Sequence, residues 1–352
     1  MADPPTASSL PSNLGEVRPN HRFDEARLAV WLAANVEGCK GAIEVRQFHG
    51  GASNPTFMIF AGDQRLVLRK KPPGQLLASA HQVDREYRVM KALGTVGFPV
   101  PHMRALCLDE GVIGTTFYVM DYLAGRIFRD ARLPDLDPAE RTAVYDQVNA
   151  TLARLHAVDY QAIGLGDYGR PGSYFARQID RWTRQYRGAE TQAIPAMEAL
   201  IQELPKRMPA DEETTIAHGD YRPENMMFHP TEPRVIAVLD WELSTLGHPL
   251  ADLGYVCMLW DSKSPSWGTM DGVDFATSGL PTREAFVADY TRRTGRRIDD
   301  LNFYLAFAAF RLASIGQGVF KRNLDGIGAH DAGGDNAGTV ERAEAALRAL
   351  RG

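Results

Sequence analysis

The segment from Ile216 to Glu242, IAHGDYRPENMMFHPTEPRVIAVLDWE, gathers side chains whose types and spacing suit phosphoryl transfer. It holds His218-Gly219-Asp220, then Asn225 five residues past that Asp, then Asp240 at the end of an apolar run. Moving a phosphoryl group onto a hydroxyl asks little covalent work of a protein. It asks for a carboxylate to orient the attacking hydroxyl and accept its proton. It also asks for an amide oxygen and a second carboxylate to hold Mg²⁺ on the nucleotide phosphates. Asp220 fits the first role; Asn225 and Asp240 fit the second. Either Asp220 or Asn225 alone would read as a turn former, so the register of the whole set points to chemistry.

The surrounding pattern gives these residues a frame. Thr215-Ile216-Ala217 can be a short strand feeding the loop. Met226 to Phe228 and Val235 to Leu239 read as two strands around the turn His229-Pro230-Thr231-Glu232-Pro233. Asp220 and Asn225 then flank one loop, and Asp240 leaves the second strand beside them. The Asp-to-Asn gap matches the H-R-D-x-x-x-x-N loop of protein kinases, with Gly219 where those have Arg.

On these residues the chain resembles the aminoglycoside phosphotransferase-like kinase family, whose catalytic loop reads H-G-D-x-x-x-x-N and whose metal Asp follows on a strand. It is most similar to the branch found as stand-alone bacterial proteins and as kinase-like domains fused to acyl-CoA dehydrogenases. There the Asp is followed by Trp-Glu, as in Asp240-Trp241-Glu242, and the stretch Gly247 to Tyr255, GHPLADLGY, is also similar. The resemblance covers about residues 24 to 325. It implies an α+β fold of two lobes like a protein kinase, with a small antiparallel-sheet N-lobe carrying one long helix and a larger, mainly helical C-lobe. It also implies that His218 supports the loop, and that Asp252 braces it through backbone N–H groups. Asp252 could equally cap the helix that begins near Leu250.

The periodicity agrees with two lobes. Asp24 to Asn35 predicts a helix, and Ile43 to His49, Thr56 to Ala61, Arg65 to Arg69, Arg104 to Leu108 and Thr116 to Met120 predict strands. Ser79 and Gln82 could box the start of a helix ending at Leu93, with Gly94 as its stop. Helical patterns then run from Asp137 to His156, Tyr174 to Arg187, Ala196 to Met208, Thr282 to Arg293, Asp299 to Asn323 and Val340 to Leu350. The expected division is a flexible tail over 1–23, an N-lobe over 24–122 and a C-lobe over 123–352.

A nucleotide lid and a phosphate cation are the remaining parts. Gly50, Gly51, Ser53 and Asn54 lie between two strands, where backbone N–H groups could meet anionic oxygens. The next strand ends Leu68-Arg69-Lys70-Lys71, so one basic group should steady the phosphates, with Glu86 on the following helix as its partner. By register Arg69 stands where a Lys is usual, as it does in the branch the chain resembles. Alternation leaves open which of Arg69, Lys70 and Lys71 faces the site. By resemblance, the backbone of Asp121 to Leu123 holds the adenine, with Met120 or Tyr118 as the pocket wall. Gly326-Ile327-Gly328-Ala329-His330-Asp331 imitates a dinucleotide fingerprint, but it lacks the third Gly and follows a helical pattern.

Composition narrows the partners. The 352 residues are 44% hydrophobic and 24% charged with a net charge of −5, an ordinary balance that gives no reason to expect nucleic acid. No apolar run is expected to span a membrane, no targeting signal is visible, and no partner protein is evident. Cys39, Cys107 and Cys257 are scattered and odd in number, as reduced thiols in a cytoplasm would be. The expected cofactors are ATP, with GTP not excluded, and Mg²⁺. The expected acceptor is a small-molecule hydroxyl, with Tyr304, Phe307 and Arg311 as its pocket. The resemblance implies a hydroxyacyl compound or its coenzyme A thioester. The alternatives are an aminoglycoside or other small alcohol, and a nucleotide-binding regulator without transfer activity.

Overall fold

The computed structural model describes residues 10–49, 54–72, 82–261, 270–326 and 336–352. Gly50, Gly51, Ser53, Ser79 and most of the Gly326 to Asp331 stretch lie outside them. The chain has an α+β architecture and divides into two compact units. The first comprises residues 1–126, 227–232 and 236–242; the second comprises 127–226, 233–235 and 243–352.

The first unit is built on six antiparallel strands: β1 (Leu14–Gly15), β2 (Glu44–Phe48), β3 (Thr56–Ala61), β4 (Gln64–Lys70), β5 (Met103–Cys107) and β6 (Phe117–Asp121), ordered β1-β2-β3-β4-β6-β5. Helix α1 (Glu25–Asn35) starts at Asp24, whose side chain accepts from the Arg27 N–H. Its Leu28 and Leu32 join Phe57, Ile59, Leu66, Leu68, Phe117 and Val119 in one apolar cluster. Helix α2 (Val83–Thr95) follows. It runs through Gly94, and no side chain caps its start at Gln82. The turn expected at Gly94 falls instead at Gly97, with φ 68°. Residues expected in a flexible tail are built in: β1 pairs with β2, and the Arg18 N–H donates to Gln47 Oε1.

The hairpin of β8 (Met226–Phe228) and β9 (Val235–Val238) explains why the division is not a single cut near residue 122. The Arg126 and Phe228 backbones bond reciprocally at 2.8 Å, the Val238 N–H donates to Pro99 O, and the Trp241 ring meets Phe98 edge-on. These contacts group residues 227–232 and 236–242 with the first unit.

The second unit is mainly helical: α3 (Pro138–His156), α4 (Tyr174–Ala189), α5 (Pro195–Glu203), α6 (Pro249–Cys257), α7 (Arg283–Thr294), α8 (Leu301–Leu324) and α9 (Ala337–Arg351). Asp137 and Glu140 close a capping box on α3. A second hairpin-like pair, β7 (Thr215–Ala217) with β10 (Thr245–Gly247), frames the loop around Asp220. Strand β10 is too short to announce itself by alternation. By length and composition α8 is apolar enough to cross a membrane, contrary to the expectation that no run is, and 72% of its most apolar window is buried inside the structure. Its aromatic residues pack with α4 and α6 as a core helix does. Cys39, Cys107 and Cys257 are buried and free.

Candidate active site

In the second unit the loop after β7 is shaped by backbone demands. Gly219 has φ 83°, and a Cβ there would sit 2.7 Å from the Leu243 carbonyl oxygen. That excludes the Arg found at this place in protein kinases, for conformational and steric reasons together. The N–H groups of His218 and Gly219 both donate to the buried Asp252 carboxylate, at 2.6 and 2.8 Å. Burial pushes the Asp252 carboxyl up, but the His156 hydrogen bond and the Gly219 N–H outweigh it. The result lies below the usual carboxylate range. Asp252 therefore clamps the loop. The cap of α6 is His248, whose Nδ1 accepts from the Leu250 N–H at 3.2 Å. His218 is fully buried, and its Nδ1 accepts from the Asp220 N–H at 3.1 Å, which leaves its ring part of the loop's frame.

These bonds aim Asp220. Its Oδ2 accepts from Asn225 Nδ2 at 2.7 Å, and the same Nδ2 donates to the Asp220 carbonyl at 2.8 Å. With Nδ2 turned inward, the amide oxygen of Asn225 is the atom left for a cation. Oδ1 of Asp220 accepts from the Tyr255 hydroxyl, and Arg222 Nε stands 3.6 Å away. Tyr255 is absent from the expected site residues. Its signal was its place three residues after Asp252, on the same face of one helix.

In the first unit strand parity separates Arg69 from Lys70. Leu66 and Leu68 point into the α1 cluster, and Lys70 shares their face, with Nζ 5.1 Å from the Phe23 centroid and 5.6 Å from that of Phe57. Arg69 takes the opposite face. Its Nε is 3.2 Å from Glu86 Oε2, and its Nη2 is 2.7 Å from Asp240 Oδ1 and 3.6 Å from Glu242 Oε2. Glu86 is buried and also accepts from Asn54 Nδ2 at 2.7 Å and Tyr118 OH at 3.0 Å. Burial raises the Glu86 carboxyl, with Arg69 opposing. The Asn54 side chain thus braces the carboxylate. Asp240 holds φ 63°, a left-handed conformation uncommon for residues other than Gly.

The remaining expectations fall on both sides. Asp121 pairs with Arg104 at 2.5 Å and His102 at 3.4 Å, and its N–H donates to His102 O. The Tyr122 N–H donates to Arg65 O. Among the described residues, Leu123 carries the first hinge amide that the sheet does not use. Met120 is half-buried on β6. Tyr304 and Phe307, expected in the acceptor pocket, are packed in the core. Tyr304 stacks on His248 at 5.8 Å, and Phe307 meets Phe175 edge-on at 5.0 Å. Arg311 differs from them in presenting a buried guanidinium to Trp182 and Tyr255.

A model of the phosphotransferase enzyme family matches residues 44–301. Acyl-CoA dehydrogenase family member 10 of Mus musculus is 49% identical over 289 residues, which are 81% of this chain; the chain spans only 27% of that relative's length. The crystal structure of a candidate aminoglycoside phosphotransferase from Ralstonia eutropha JMP134 superimposes with a TM-score of 0.84 at 48% identity, over 94% of this chain and 99% of that one. A thermostable mutant of an aminoglycoside phosphotransferase, solved with ADP and hygromycin B, shares the fold at 16% identity and a TM-score of 0.60, over 92% of this chain and 98% of that one. The chain belongs to the phosphotransferase enzyme family, as a kinase whose acceptor is an alcohol group.

Proposed function

We propose that this protein transfers the terminal phosphoryl group of Mg²⁺-ATP to the hydroxyl of a small molecule, a hydroxyacyl compound or its coenzyme A thioester, in a cytoplasmic setting. The observation that carries the reading is the aimed Asp220. One carboxylate oxygen is bonded by Asn225 and the other by Tyr255, on a loop clamped by Asp252. A turn former has no need of such support, and a nucleotide-binding regulator has no need of an oriented carboxylate.

In this mechanism Asp220 holds the acceptor hydroxyl in line and takes its proton. The Asn225 amide oxygen and the Asp240 carboxylate are hard donors of the kind Mg²⁺ takes. Bound by them, the ion would neutralise charge on the β- and γ-phosphates. Arg69, fixed by Glu86, supplies a planar fork suited to phosphate oxygens. Leu123 offers a backbone donor to the base. ATP as donor is supported by the related fold solved with ADP. The acyl acceptor is supported by the likeness to acyl-CoA dehydrogenase family member 10. An aminoglycoside acceptor would favour acidic walls, and the guanidinium groups on α4 and α8 do not provide them.

The test is ADP release from Mg²⁺-ATP with 3- and 4-hydroxyacyl compounds, their coenzyme A thioesters and aminoglycosides as acceptors. Acceptor-dependent ADP that falls at least 100-fold in Asp220→Asn, as loss of general-base catalysis entails, with ATP affinity retained, is the expected result. Turnover unchanged in that variant removes Asp220 from its role. Transfer to aminoglycosides alone overturns the acyl acceptor.

A further inference from the structure

Arg311 is 6% exposed, and among the described residues no carboxylate pairs with it and no acceptor bonds it. Its guanidinium lies 5.6 Å from the Trp182 ring and 5.6 Å from the Tyr255 ring. A buried cation held only by aromatic faces is an expensive arrangement, because ring quadrupoles recover little of what desolvation costs. One neighbour has the same unmet character, and an exposed one adds like charge. The buried indole Nε1 of Trp182 has no hydrogen-bond partner. Arg181, on the solvent side of the same ring at 5.0 Å, is pushed down in pKa by desolvation and then by the like charge of Arg311. The other arginines on this face of α4 are spent, since Arg177 donates to the carbonyls of Gly172 and Arg170 and Arg184 pairs with Asp180.

Two like charges and an orphan donor around one indole share a single remedy, an oxyanion that accepts from all three. We infer that Arg311, Arg181 and Trp182 form a binding site for an oxyanion, a carboxylate or a phosphate, carried by the acceptor itself. Tyr255 supports the assignment to the acceptor: its ring lies beneath Arg311 while its hydroxyl bonds Asp220. One phenol ring thus separates the bound anion from the carboxylate that receives the hydroxyl proton. The inference deepens the phosphotransfer reading by naming a second group on its substrate, and α6 carries both contacts because Gly254 lets it approach α8. A Cβ there would stand 2.6 Å from the Tyr304 carbonyl oxygen.

The test is calorimetric titration of the full chain, without nucleotide, using sodium 4-hydroxybutyrate, its neutral amide and inorganic phosphate. At least one anion should bind tenfold or more tightly than the amide. That preference should vanish in R311M and fall at least threefold in R181M, while R292M, on exposed α7, keeps it. Preference for 4-hydroxybutyrate alone assigns a carboxylate, and preference for phosphate alone assigns a phosphoryl-bearing acceptor such as a coenzyme A ester. Equal binding of anion and amide by the native chain overturns the site, as does a preference that survives in both variants. Should R311M fail to fold by its melting curve, R181M decides. Loss of ADP release with the anion preference intact counts against phosphotransfer alone; the reverse result counts against this site alone.

Discussion

The Tyr255 hydroxyl donates to Oδ1 of Asp220 across 35 residues of chain, completing the hold that Asn225 begins at Oδ2. Tyr255 is buried, and burial together with the Asp220 charge lifts its phenol well above the ordinary range, so the proton stays on the tyrosine and the bond is a donor bond. In the proposed mechanism Tyr255 is thus a positioning residue for Asp220.

Tyr255→Phe should lower kcat about tenfold, the weight of one hydrogen bond to a charged group, and leave the KM for ATP unchanged. Steady-state ADP release checks this. An unchanged kcat would mean that Asn225 alone suffices to aim the carboxylate.

Arg69 joins Glu86 and Asp240, so its removal should act on stability as well as on nucleotide use. Arg69→Met leaves Glu86 buried beside no cation and should destabilise the fold by about 3 kcal/mol. Arg69→Lys should recover part of that while still raising the KM for ATP several-fold, because one ammonium cannot span both carboxylates as the guanidinium does. Urea melts and ATP titrations separate the two effects. A Lys variant with native KM would contradict the forked geometry.

Gly219→Ala places a Cβ against the Leu243 carbonyl at φ 83°. It should cost about 2 kcal/mol or more, from the left-handed conformation and the clash together, and abolish turnover by displacing Asp220. A melting point within a degree of native would show that the loop accommodates a side chain.

His248 makes stability fall on the acid side. Desolvation lowers its pKa to about 4 from 6.5. Its Nδ1 must stay bare to accept from Leu250, so the folded state prefers the neutral ring. A depressed pKa stabilises the fold above the unfolded value. That contribution, about 3 kcal/mol at most, drains away between pH 6.5 and about pH 4. The melting temperature should therefore drop over this window. His248→Asn, which keeps a capping oxygen without a titrating ring, should flatten the drop, leaving the part due to His156. An identical slope in the variant would exonerate His248.

The sequence by itself determined the elements and the chemistry of the loop. Alternation and helical spacing are local, so β2 to β6 and the long helices were legible. The spacing from Asp220 to Asn225 and Asp240 marked phosphoryl transfer, because short loops fix where such residues stand. Contacts between distant segments were not legible in this way. Period-two alternation put Arg69 and Lys70 on opposite faces, but only the packing of α1 against the Leu66–Leu68 side showed which of them meets Glu86. The bond from the Asn54 side chain to Glu86 exists only because α2 packs beside it. Tyr255, Trp182 and Arg311 lie on three helices, and no local periodicity relates helix faces that meet only when a core is packed. Tertiary structure alone turned the aromatic residues of α8 inward, gave Asp220 its second partner, and left one guanidinium buried without a counter-ion.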